Sequence, residues 1–304
     1  MYMNTTPKNV ALQVGALIAL FASITSFLIL IFGVINIIFP DAAAGYYEYA
    51  SSQSGIRYAI AMLVVFFPAF IFLTRIVNVA RRSESVFYHS LTRWLMYFAL
   101  LVGSLILLGD LVAVILTFLN GEITVRFVLK AGSILVVIGS ALYYYWHDTK
   151  GYWKNKEKQS VMIGAIAGVI VIAGIVYGYM NIDSPAIVRE AKIDQQQLTD
   201  LQDMQWRIES NYHQAETLPK TVAELYTDTP VPVAPESRDA YQYKVTGDTT
   251  YELCATFADI TPQSERMMSK PYFEPGYDSN NYNWEHGAGE KCFERTVTKA
   301  DKNI

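Results

Sequence analysis

Five apolar runs, each long enough to cross a bilayer as a helix, constrain this chain more than anything else in its sequence. They are Leu12–Ile38, Tyr58–Val77, Leu95–Leu119, Ile123–Trp146 and Val161–Met180. A hydrocarbon core of roughly 30 Å requires about 20 helical residues, and every run meets that length. Buried strands or core helices of a soluble protein would be shorter or would alternate with polar positions. A cleaved signal peptide does not account for the first run, whose apolar stretch far exceeds the roughly 7–15 residues of a signal h-region.

Charge divides the chain at the same place as hydropathy. Residues 11–180 carry 18 charged side chains in 170 positions, with a net charge of +4. Residues 181–304 carry 33 in 124 positions, with a net charge of −9. The overall pI of 5.6 averages two unlike halves. One soluble domain, a disordered chain and a basic nucleic-acid binder are excluded by this distribution. The expected fold is an α-helical membrane bundle of five transmembrane helices followed by a C-terminal α+β exterior domain. Its expected segments are a cytoplasmic N-terminus (1–10), a four-helix transmembrane domain (11–150) and a basic cytoplasmic loop (151–160). A fifth transmembrane helix (161–180), the exterior domain (181–300) and a short tail (301–304) follow.

Orientation follows from Lys and Arg in the short loops, which stay on the cytoplasmic side. Lys8, Arg75, Arg81, Arg82, Arg93, Lys150, Lys154, Lys156 and Lys158 fall on one side, against Arg57, Arg126 and Lys130 on the other. The amino terminus is therefore expected in the cytoplasm. Five spans then place residues 181–304 outside it, in a multi-pass protein of the cell membrane whose first partner is the lipid bilayer. Tyr143, Tyr144, Tyr145, Trp146 and Trp153 at the inner end, with Tyr46, Tyr47, Tyr49 and Tyr58 at the outer end, read as interfacial anchors. His89 and His147, isolated in these zones, make a poor metal site.

Asp110 is the acidic residue deep in a span. Lys130 lies at comparable depth on the next helix, across the Asn120-Gly121 turn. An Asp110–Lys130 ion pair, with Arg126 as second candidate, would relieve the cost of an intramembrane charge. A proton or ion relay through the same residues is the functional alternative. Pro68 should kink the second span. Gly164-x-x-x-Gly168 and Gly174-x-x-x-Gly178 in the fifth permit close helix approach, either to the other four helices or to a second copy. The loops contain no P-loop, Rossmann or zincin pattern.

The order of the spans, the loop Arg81-Arg82-Ser83-Glu84 and the aromatic end Tyr143-Tyr144-Tyr145-Trp146-His147 resemble an uncharacterised family of bacterial four-helix membrane domains over residues 11–150. That resemblance implies a fold and no activity.

After the fifth span, Ser184-Pro185 can open a helix. Leu198, Leu201, Gln205, Ile208 and Tyr212 follow heptad-like spacing, with Met204 and Ile193 beside that stripe, and the helix should end near Glu216-Thr217-Leu218-Pro219. A short helix with Val222, Leu225 and Tyr226 on one face follows, then an extended linker through Pro230, Pro232 and Pro235. Tyr241–Val245 and Thr250–Phe257, joined at Thr246-Gly247-Asp248, read as a hairpin, and Lys291–Val297 as a last strand. Residues 261–283 read as a long loop. Cys254 and Cys292, one in each of two strands outside the cytoplasm, are most simply a disulfide. Closing a loop of that length would contribute roughly 4 kcal/mol in the chain-entropy model. Free buried thiols are the alternative. A catalytic thiol is disfavoured because there is no Cys-x-x-Cys and neither His213 nor His286 has an evident orienting partner.

The run Asp200-Leu201-Gln202-Asp203-Met204-Gln205, then Leu218-Pro219-Lys220-Thr221-Val222-Ala223-Glu224-Leu225, Tyr251-Glu252-Leu253-Cys254-Ala255-Thr256-Phe257 and Trp284-Glu285-His286-Gly287-Ala288-Gly289-Glu290-Lys291-Cys292-Phe293, resembles the globular domain of pseudopilins over most of residues 185–297. Pseudopilins enter that domain from an assembly helix carrying a glutamate at its fifth position. The helix ahead of this domain is a fifth span without one, so a pilin-like module mounted on a membrane bundle fits better than a filament subunit. Some pseudopilins bind calcium in a C-terminal loop. Asp278, Asn280, Asn281 and Asn283 offer oxygens here, but one carboxylate falls short of the six to eight ligands calcium takes, and a solvated loop is expected. The sequence thus predicts no catalytic residues, metal or cofactor. It predicts a non-enzymatic protein with an exterior protein partner, no nucleic-acid partner and possible self-association through the fifth helix. A small transporter using Asp110 and Lys130 is the alternative.

Overall fold

A computed structural model describes residues 7–40, 45–83, 86–121, 123–227, 229–235, 237–261 and 279–297. At 7–9, 45–47, 79–83, 86–92, 154–155 and 279–280 it describes the backbone alone. The chain divides into two compact units, Met1–Ile182 and Asp183–Ile304.

The first unit is helical throughout: α1 (Pro7–Ile38), α2 (Gly45–Ser83), α3 (Val86–Leu119), α4 (Val125–Thr149), the single turn α5 (Tyr152–Asn155) and α6 (Glu157–Met180). Within these lie five stretches long and apolar enough to cross a membrane, from 24 to 31 residues each. The chain is a multi-pass membrane protein on that ground. Helix α2 starts well ahead of the expected Tyr58, because Glu48, Ser52, Gln53 and Arg57 lower the local hydropathy without breaking the helix. It also runs through Pro68 as one helix. α1 is the hub and packs most extensively on α2. Leu30, Ile56, Ala59, Leu63 and Val171, from α1, α2 and α6, form its dry core. α6 reaches that core through glycines: a Cβ on Gly174 would lie 2.9 Å from Phe27 Cε2, and one on Gly178 would lie 2.7 Å from Leu30 Cδ1. Van der Waals packing, not a hydrophobic force, drives such contacts between helices in lipid.

The second unit is α+β. Helix α7 (Pro185–Ala215) starts at Ser184, whose side chain accepts from Ile187 N at 3.4 Å, with Pro185 in the first turn where its missing N–H costs nothing. A single 3₁₀ turn, Val222–Leu225, stands where a short helix was expected. Strands β1 (Gln242–Val245), β2 (Thr250–Phe257) and β3 (Gly289–Thr296) form an antiparallel sheet in the order β1-β2-β3. Alternate residues Tyr251, Leu253, Ala255 and Phe257 of β2 join Leu198, Leu201, Met204, Ile208 and Tyr212 of α7 in one core. At about 25 cal/mol per Å² of apolar surface, that shared burial is the main source of this unit's stability.

Candidate functional site

Glu48, Arg57, Arg126 and Lys130 of the five-helix unit gather at the end where α1 finishes and α2 and α4 begin. Thr124 caps α4, and the first turns after it carry Arg126 and Lys130 on the side facing α1. Arg126 Nη2 donates to Glu48 of α2 and, at 2.8 Å, to Asn36 Oδ1 of α1. Asn36 Nδ2 donates in turn to Ser52 Oγ at 3.0 Å. One turn along, Arg57 Nη2 donates to Gln53 Oε1 at 2.6 Å. Lys130 Nζ lies 6.0 Å from the centre of the Phe32 ring. Three helices are thus joined by one polar clasp.

Asp110 takes no part in it. The expected Asp110–Lys130 pair does not form, and among the described residues Asp110 makes no hydrogen bond or ion pair. Helix rotation is the reason: Asp110 lies on a stripe of partly covered α3 positions with Leu107, Val114 and Thr117, whereas Lys130 faces Phe32 of α1. Arg126, the expected second candidate for Asp110, is taken by Glu48. Glu48 escaped sequence reasoning because it lies upstream of the apolar window. A cavity of about 80 Å³ between α1, α3 and α4 is lined by apolar groups such as Leu20, Leu28, Ile138 and Leu142, and includes neither Asp110 nor Lys130.

The opposite end is aromatic. Trp153 Nε1 donates to the Tyr144 carbonyl at 3.0 Å, and the two rings stack at 5.1 Å. Tyr152 and Tyr143 flank His147, whose Nδ1 lies 2.9 Å from the Tyr143 carbonyl. Lys156 Nζ donates to the Tyr152 hydroxyl at 2.7 Å. Of the other topology determinants, Arg75 and Lys158 are exposed, and the side chains of Arg81, Arg82 and Lys154 lie outside the described residues. Around Gly164 there is open space, and Gly168 has only Phe67 at 3.9 Å; Gly174 and Gly178 serve packing within the chain.

In the C-terminal unit, polar contacts tie several of the described loop segments to α7. Asp194, 5% exposed, accepts from the backbone N–H groups of Ala258 and Asp259 at 3.0–3.2 Å and from Arg238 Nη2 at 2.9 Å. Arg238 also bonds Glu190 at 2.7 Å. Tyr226 and Tyr241 donate to Asp203 and Asp200, each at 2.6 Å; burial, then the bonded carboxylate, pushes both phenols well above their ordinary value. Arg295, 3% exposed, donates through Nε to Gln205 Oε1 at 2.9 Å and through Nη2 to the Asn283 carbonyl at 2.8 Å, with Trp284 4.2 Å away on its face. His286 stacks on Phe257 at 3.8 Å, and burial holds it below the usual imidazole range. No local signal in the sequence marks Asp194 as buried, because Arg238, Ala258 and Asp259 lie 44 to 65 residues away.

Cys254 and Cys292 form a disulfide between directly paired positions of β2 and β3. The expected oxygen donors of the last loop are largely committed: Asn281 exchanges two bonds with the Thr296 backbone, and Asn283 Oδ1 accepts from Glu285 N at 2.9 Å. Asp278 and the Asn280 side chain lie outside the described residues. Among the described residues no group of three His, Cys, Asp or Glu is placed to hold a metal.

Residues 10–173, more than half of the chain, match the profile of DUF5671, described as a domain of unknown function. No curated protein and no solved structure matches the chain.

Proposed function

This chain belongs to the DUF5671 family of domains of unknown function, and from that premise we propose that it is a non-enzymatic envelope protein that displays a pilin-like interaction domain on a five-helix membrane anchor. The observation that carries the reading is the division of labour between the units. In the first, Arg126 and Glu48 join three helices in a clasp, and the aromatic end reads as an interfacial anchor. The second is a separate α+β unit with its own core, cross-linked and laced to one long helix. A long helix backed by a small antiparallel sheet suits a rigid presenting surface better than a reaction centre. The Lys/Arg bias of the short loops supports an exterior location for that domain, and a secretion or pilus component is the partner class its pilin-like sequence favours.

Ion handling through Asp110 and Lys130 is the weaker reading, since the cation faces another helix and the nearby cavity is apolar. Photo-cross-linking of the full-length protein in its native membrane, from positions on the exposed side of α7, tests the proposal. Recovery of one envelope protein in stoichiometric adducts is expected. Absence of adducts from every position, or activity of a C-terminal reporter only in the cytoplasm, would overturn it.

A further inference from the structure

The disulfide sits on the face of the sheet turned away from α7, among carboxylates. Residues two apart on a strand share a face and lie about 6.8 Å apart, so Glu290 and Glu294 flank Cys292 along β3. Glu252, opposite Glu294 in the register, flanks Cys254 along β2. Asp239 joins them, accepting from Thr256 Oγ1 at 3.0 Å. Among the described strand residues, Lys244, opposite Glu252 on β1, is the cation of this face; Lys291 projects from the other side of β3. Like charges directly opposite one another, as Glu252 and Glu294 are, weaken a sheet. The Glu252–Glu294 pair is therefore not explained by stability.

Access to the two sulfurs is unequal. Gln242 reaches across β2 to donate to Glu290 Oε1 at 2.8 Å, passing over the row that holds Cys254. Cys254 is 5% exposed, whereas Cys292 is open to solvent. Cys292 is thus the half of the bridge that an attacking thiolate meets, and Glu290 and Glu294 flank it along β3.

We propose that these carboxylates make the disulfide selective for the charge of an attacking thiol, resisting anionic thiols and admitting cationic ones. In the first step the thiolate attacks Cys292 Sγ. A mixed disulfide forms, the Sγ–Sγ bond breaks, and Cys254 leaves with the electron pair as a thiolate that water protonates. A second thiolate then attacks the sulfur of the bound thiol, releasing Cys292 as a thiolate and the two small thiols as their disulfide. Two thiols are oxidised and one cystine is reduced. The carboxylates act on the approach and on the first transition state, where negative charge spreads over three sulfurs, so their effect falls on rate.

The test compares reduction rates of the full chain in neutral detergent by mercaptoethylamine, a cation, and mercaptopropionate, an anion, read by alkylation and mass. The ratio of the two rates is taken for the wild type and for the double variant Glu290→Gln/Glu294→Gln, so that the intrinsic reactivity of each thiol cancels. The ratio is expected to fall about five- to tenfold in the variant, and to fall similarly for the wild type in about 0.5 M salt, where charges are screened beyond a few ångströms. An unchanged ratio in a variant whose unreduced thermal unfolding matches the wild type would overturn the proposal. So would a wild-type ratio indifferent to salt.

Discussion

Tyr251, on the central strand between β1 and β3, is fully buried, and its hydroxyl has no partner among the described residues; burial drives its phenol far above the ordinary value. Burying a hydroxyl without a partner costs about 1–3 kcal/mol, so Tyr251→Phe is expected to leave stability unchanged or raise it by about 1 kcal/mol. Tyr241→Phe, which strips a bond from Asp200, should lower it by about 1–2 kcal/mol. Paired thermal melts of the two variants check this, and equal losses would contradict it. His286 sets a pH dependence of definite sign. Its folded-state value lies below the ordinary 6.5, chiefly through burial and despite the field of Asp194 and the carbonyls of Gly287 and Asp259. The unfolded chain therefore takes up a proton first as pH falls, and stability drops from about pH 6.5 downward. Denaturant titrations at descending pH should show that slope, and His286→Gln should flatten it. Neither residue announces its role in the sequence: a tyrosine in a strand and a histidine in a loop are ordinary until long-range packing removes water from them.

Helix α4 illustrates what decides an element's role. Its hydropathy marks a span, but its rotation about its own axis determines whether Lys130 looks toward Asp110 of α3 or Phe32 of α1. Arg126, one turn away, bonds Asn36 and Glu48, which pins that rotation. Breaking a largely buried ion pair strands the remaining charge, so Arg126→Met should cost about 3 kcal/mol. Asp110→Leu should be neutral or stabilising, because it removes a carboxylate with no partner among the described residues from an apolar setting. Unfolding of the two variants in mixed micelles distinguishes them; a severe loss on Asp110→Leu would restore the carboxylate to a structural pair. Helix α6 carries the same lesson. Its spaced glycines were legible as a packing motif, yet which pair would be used was not, since Gly174 and Gly178 differ from Gly164 and Gly168 only in what stands opposite.

The whole molecule comprises two units with separate cores, one built from Leu30, Ile56 and Leu63, the other from Leu201, Ile208 and Leu253. Reduction of Cys254–Cys292 reaches only the second. Thiol treatment is therefore expected to lower the unfolding temperature of the α+β unit, by loss of roughly 4 kcal/mol in the chain-entropy model, and to leave the five-helix unit unchanged. Following near-ultraviolet and far-ultraviolet dichroism separately tests this, and a common shift would contradict it. By itself the sequence determined five spans, a long helix after them, a three-strand sheet and its disulfide. Span length, amphipathic period and strand alternation are local properties that survive without knowledge of neighbours. Only the tertiary structure decided that Arg126 meets Glu48, that Lys130 faces Phe32 rather than Asp110, and that Asp194 and Arg295 are buried hubs. Each of those depends on how far a helix or strand is turned about its axis when it packs. That rotation is set by contacts between residues tens of positions apart, which no local pattern encodes.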